Sequence, residues 1–102
     1  MSDVEVFMVD AEITMLPESE IYMKGSGIAF VYCFIPAVSV EDALSKLKRE
    51  FRRMNCKIIR VQSVYPYAGT EWEKKKQQKE FDGYAKEAGE SNQIVFSPFL
   101  TY

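Results

Sequence analysis

The sequence predicts an α+β fold: a small mixed or antiparallel sheet of four to five strands with two helices packed on one face. Three observations predict it. Residues 28–35 carry no charge at any position, as a strand dry on both faces would. Residues 40–55 set Val40, Ala43, Leu44, Leu47, Phe51 and Met54 on one helical stripe. From there the chain alternates strand-like and helix-like segments, which a sheet with packed helices satisfies. With 102 residues, the chain reads as a single domain over 1–102.

The elements follow in order. Residues 4–15 are apolar at Val4, Val6, Phe7, Met8 and Val9, then alternate through Ala11, Ile13 and Met15 with Asp10, Glu12 and Thr14 between them. That is a strand with one wet face. Leu16-Pro17-Glu18 breaks it, Ile21-Tyr22-Met23 reads as a short edge strand, and Lys24-Gly25-Ser26-Gly27 as a turn. Residues 28–35 are the central strand, and Pro36 ends it because it has no ladder donor.

Ser39 is the expected N-cap of the first helix, with Asp42 three positions on and Val38 placed to staple onto Ala43. Asn55 suits its C-terminus. Residues 57–65 form the next strand, with Ile59, Val61 and Tyr65 on one face and Arg60 and Gln62 on the wetter one. Thr70-Glu71-Trp72-Glu73 is a capping box that opens a helix over 71–88, with Phe81, Tyr84, Ala85 and Ala88 as its packing face. Gly89 is its expected terminator. Residues 93–99 close the chain as a short strand.

These ingredients resemble those of ferredoxin-like domains. Two strands ahead of the first helix depart from the βαββαβ order of that architecture. The resemblance implies no function, because that fold hosts many.

Composition removes several chemistries. There is no histidine, so histidine-based triads and ordinary zinc or haem ligation are excluded. Cys33 and Cys56 lack a CxxC context and read as buried free thiols. Gly25-Ser26-Gly27 precedes a strand, whereas phosphate loops open helices. No cofactor, metal or catalytic residue is assigned. The apolar run around residues 28–36 falls short of the roughly 20 residues a bilayer needs. The N-terminus is acidic where a signal peptide is basic. The expectation is a cytoplasmic protein with no membrane partner.

Charge is divided along the chain. Residues 1–23 hold six acids and no base, and residues 41–60 hold seven bases against three acids. Such a split steers a partner or neutralises in cis. Asp10 and Glu12 point to the same side of one strand, as a cation-binding or acid–base pair would, but a wet strand face is the simpler explanation. The function expected is a non-catalytic accessory or protein-binding module acting through self- or hetero-association. Its candidate surface is Arg49, Arg52, Arg53, Tyr65, Tyr67, Trp72, Phe99 and Tyr102, since aromatics and arginine favour interfaces. A homodimer across an uncovered sheet face is expected. One alternative is a small-molecule binder or small enzyme with a pocket lined by Tyr32, Tyr65 and Trp72. Another is nucleic-acid binding through the basic face of helix 40–55, which the net charge of -2 disfavours.

Overall fold

Glu5–Met15 forms β1 and Ile28–Ala37 forms β2. They pair antiparallel from Glu5 opposite Ala37 to Thr14 opposite Ile28. The computed structural model describes residues 4–15, 28–69, 75–98 and 100–101. The expected edge strand 21–23, the turn 24–27 and the capping box 70–73 lie outside the described residues.

The remaining elements are α1 (Val40–Arg53), β3 (Cys56–Pro66), a single 3₁₀ turn (Tyr67–Gly69), α2 (Lys75–Ser91), β4 (Val95–Phe96) and β5 (Leu100–Thr101). The sheet order is β3-β1-β2-β4, with β5 also on β2. Every pairing is antiparallel. The chain is therefore α+β as expected, and residues 28–35 lie inside the sheet.

The helices do not share a face. Phe7, Val9, Ala11 and Ile13 of β1, with Val31, Cys33 and Ile35 of β2, pack under Ala43, Leu47 and Phe51 of α1. Met8 and Phe34 belong to the opposite face and pack under Phe81, Ala85 and Ala88 of α2. The arrangement of two helices on one face is thus corrected to one helix on each. The physical reason is visible in β2, whose two apolar faces each need a dry layer. The expected dimer rested on one of those faces lacking cover, and α2 supplies cover to it.

α1 starts as its residues dictate. The Asp42 amide donates to Ser39 Oγ at 3.1 Å, and the Val38 amide donates to Asp42 Oδ2 at 3.1 Å. Val38 itself stays exposed and does not staple. Asn55 follows the helix at φ 59°, the left-handed geometry that ends a helix. In α2 that role falls to Asn92 at φ 55°, beyond the expected stop at Gly89. Gly89 lies inside the helix, where an added Cβ would stand 3.6 Å from Val6.

Val31, Phe34, Leu47, Phe51 and Phe81 are buried as expected, and Leu44 packs against the core. Phe30 is half-buried. Ile59 is 49% exposed, against expectation. The cause is two register shifts between β1 and β3. Ile13 faces Ile58 while Glu12 faces Arg60, so Ile59 is an extra, unpaired residue. The shifts leave Ile58, Val61 and Val64 toward α1 and Tyr65 toward α2. The expected common face of Ile59, Val61 and Tyr65 does not exist.

The last strand is split. The Ser97 amide donates to the Tyr32 carbonyl at 2.9 Å, and the Tyr32 amide donates to Ser97 Oγ at 3.0 Å. A hydroxyl here takes the place of a backbone carbonyl. Pro98, with no amide to give, follows at the break between β4 and β5.

Candidate functional site

Helical phase decides what the α1 bases can do. At 100° per residue, Lys48 and Lys46 stand about 200° apart, so they mark the two flanks of a basic face on which Arg52, Arg49 and Arg53 follow in order. Lys48, Arg52 and Asn55 form one ridge with Phe51. Lys46, Arg49 and Arg53 form the other with Glu50. Arg49, Arg52 and Arg53 are all exposed and neighbour one another on the helix surface, but Arg52 lines a different hollow from Arg49 and Arg53.

The first flank borders a groove of about 620 Å³ lined by Lys48, Phe51, Arg52, Asn55, Cys56, Lys57 and Ile58. Phe51 and Cys56 are buried and Ile58 is half-buried, so they form an apolar floor. Lys48, Arg52 and Lys57 surround it with positive charge, and among the described residues no carboxylate lines it. The left-handed Asn55 turn makes the groove by bringing β3 back beside the helix it has just left. Among the described residues β3 pairs only with β1, so the groove opens toward a sheet edge.

The second flank borders a smaller hollow of about 410 Å³ with Asn92, Gln93 and Ile94. Its charges are partly neutralised. Glu50 accepts from Arg53, and Asp42 lies 3.4 Å from Lys46 Nζ. Lys46 also donates to the Pro36 carbonyl at 2.9 Å.

The expected aromatic surface divides as well. The Tyr67 ring meets Phe34 edge-on at 5.6 Å, and its hydroxyl donates to Asp82. Tyr67 thus joins the packing under α2. Tyr65 is half-buried on the same face of the sheet. Trp72, Phe99 and Tyr102 lie outside the described residues.

A third concavity, about 300 Å³, opens on the α2 face and is lined by Asp10, Phe30, Tyr32 and Gln62. Tyr32 and Tyr65, two of the three residues expected to line a small-molecule pocket, lie at or beside it. Burial raises the hydroxyl pKa of both, and the Asp10 charge adds to the effect. Glu12, next along that face, is buried and lies 3.2 Å from Arg60.

Other chemistry finds little footing. Burial pushes the Cys33 thiol well above its ordinary range, so it is a poor nucleophile at neutral pH. Cys33 and Cys56 are free and buried, as expected. Among the described residues no group of three metal-binding side chains converges, and no helix is long and apolar enough to cross a membrane.

Lys48 belongs to the basic helix face read from the sequence, whereas Lys57 was not singled out as a binding residue. Their spacing from Arg52 held the signal. Lys48 is one helical turn before Arg52, and Lys57 lies two residues after Asn55, a residue type that ends helices. No protein-family model, no curated protein and no solved structure matches the chain.

Proposed function

We propose that this chain is a non-catalytic protein-binding module, and that the groove between α1 and β3 receives a short acidic segment of a partner protein. The supporting observation is the lining: Lys48, Arg52 and Lys57 around Phe51, Cys56 and Ile58, with no acid among them. Acidic side chains answer the three cations, and an apolar residue of the segment covers the floor. The Ile59 side chain, set outward by the strand irregularity, extends the apolar contact. A mixed rim of charge around an apolar centre is the usual anatomy of an interface.

A second copy is a poorer occupant. β3 carries Lys57 and Arg60 and no acid, so two β3 edges would meet with like charge. Strand irregularities and lysine on an edge also oppose strand-to-strand pairing.

The test is fluorescence anisotropy with labelled ten-residue peptides, one alternating glutamate with leucine and one alternating lysine with leucine. The acidic peptide binds, and more weakly as salt rises. The double reversal Arg52→Glu with Lys57→Glu weakens it by about tenfold or more. The control Arg49→Glu with Arg53→Glu, on the other flank, changes affinity little. Equal binding of the two peptides, or indifference to the Arg52 and Lys57 reversal, rejects the proposal. A single-stranded oligonucleotide that binds the groove more tightly than the acidic peptide transfers the site to nucleic acid.

A further inference from the structure

The cleft on the α2 face is separate from the basic groove, and its chemistry is of the opposite sign. Asp10 lies directly across from Tyr32 in the β1–β2 ladder and across from Ser63 in the β1–β3 ladder. Phe30 is the next residue along the same face of β2, and Gln62 closes the cleft from β3. The Asp10 carboxylate is half-buried there. Among the described residues no cation or hydrogen-bond donor reaches it. Its neighbour Glu12 differs, because Arg60 lies at 3.2 Å. Two carboxylates on one strand face therefore have unequal surroundings. One has a cation, and the other looks into a cleft with aromatic walls.

A partly desolvated carboxylate without a counter-charge is unfavourable. Aromatic faces attract cations through their quadrupole. A concave, mostly apolar site with one well-placed charged group is the ordinary form of a small-ligand pocket. A hard metal ion does not fit this donor set, because calcium takes six to eight oxygens and magnesium near-ideal octahedral geometry.

We infer that the cleft binds a small organic cation, a primary amine with an apolar body, with its ammonium on Asp10 and its body against Phe30 and Tyr32. The size of the cleft, about 300 Å³, is at the lower end for ligand pockets and suits a single-ring amine. The titration behaviour agrees with this. Burial holds the Asp10 carboxyl above its ordinary range. Burial first and the Asp10 charge second raise the Tyr32 hydroxyl. A bound ammonium offsets that local excess of negative charge.

The probes are phenethylamine and its uncharged counterpart 2-phenylethanol, added to the full chain and followed by ligand-observed NMR and calorimetry. The amine binds saturably, and the alcohol binds about tenfold or more weaker. Asp10→Asn weakens the amine by about tenfold or more and leaves the alcohol unchanged. Gln62→Arg brings a tethered cation to Asp10 and also displaces the amine. Circular dichroism establishes that each variant is folded. The Arg52 and Lys57 reversal leaves amine binding intact, so failure here and failure of the protein-binding groove are separable. Equal binding of amine and alcohol, retention of amine binding by folded Asp10→Asn, or no saturation by about 10 mM amine overturns the inference.

Discussion

Single side chains on the α2 face of β1 carry the sharpest consequences. Asp10 is an acid whose folded-state pKa is raised by burial, so the folded state holds its proton more tightly than the unfolded state. Its contribution is therefore favourable in acid. Stability falls as pH rises from the unfolded carboxylate range through the higher folded value. Among the described residues, the groups facing Asp10 are Tyr32 on β2, Tyr65, Ser63 and Gln62 on β3, and the Glu12–Arg60 pair one step along. None donates a compensating charge to it. Asp10→Asn raises the urea midpoint at neutral pH, and the gain shrinks as the pH is lowered toward the carboxylate range. Asp42 has the opposite sign. The Val38 amide bond, with help from Lys46, lowers its pKa, so its contribution is present at neutral pH and is lost as pH falls through its folded value. Arg60→Ala removes the cation beside buried Glu12. The expected loss is about 1–3 kcal/mol in chemical denaturation. A neutral result would mean that the other contacts of Glu12, or water, serve it equally well. The shared side of Asp10 and Glu12 and the nearness of Tyr32 and Tyr65 were legible in the sequence. The Glu12–Arg60 pair was not, because strand order decides it.

Whole elements were legible where a single periodicity governed them. In α1 the cap Ser39, the buried stripe of Ala43, Leu47 and Phe51, and the exposed bases all follow from 3.6-residue spacing. In β3 the period is broken twice, and no alternation rule applied from either end places Ile59 correctly. The end of α2 was misplaced for a related reason. Glycine is the commonest left-handed terminator, yet Gly89 lies within the helix, and asparagine, which also tolerates positive φ, serves at Asn92. Gly83 lies on the exposed side of α2, with nothing within 4 Å of an added Cβ. Gly83→Ala is accordingly expected to stabilise the chain by about 0.5–1 kcal/mol, read as a higher denaturant midpoint with an unchanged slope. A loss of stability would place a neighbour against that side of the helix.

At the scale of the molecule, the two dry faces of β2 were the decisive sequence feature. They left two solutions, a layer on each side or a partner over one. Composition could not choose, because α2 is apolar only at Phe81, Tyr84, Ala85 and Ala88, and its lysine-rich beginning disguises a packing helix. The structure takes the first solution, and Phe34, with Phe81 and Tyr84 within 5.6 Å between ring centroids, shows how much that face needed it. With α2 in place, the chain is expected to run as a monomer near 11.8 kDa in light scattering at about 10 and 100 μM. A mass that doubles between those concentrations would restore a self-association surface.

Binding of a partner in the groove between α1 and β3 is best checked by NMR. The glutamate–leucine peptide is titrated into the ¹⁵N-labelled chain and the backbone amide shifts are mapped. Shifts are expected to concentrate at Lys48, Arg52, Asn55, Lys57 and Ile58, with Asn92–Ile94 and the Asp10–Tyr32 region still. Shifts confined to the Asn92 flank or to the α2 face, or none at saturating peptide, would contradict binding in that groove.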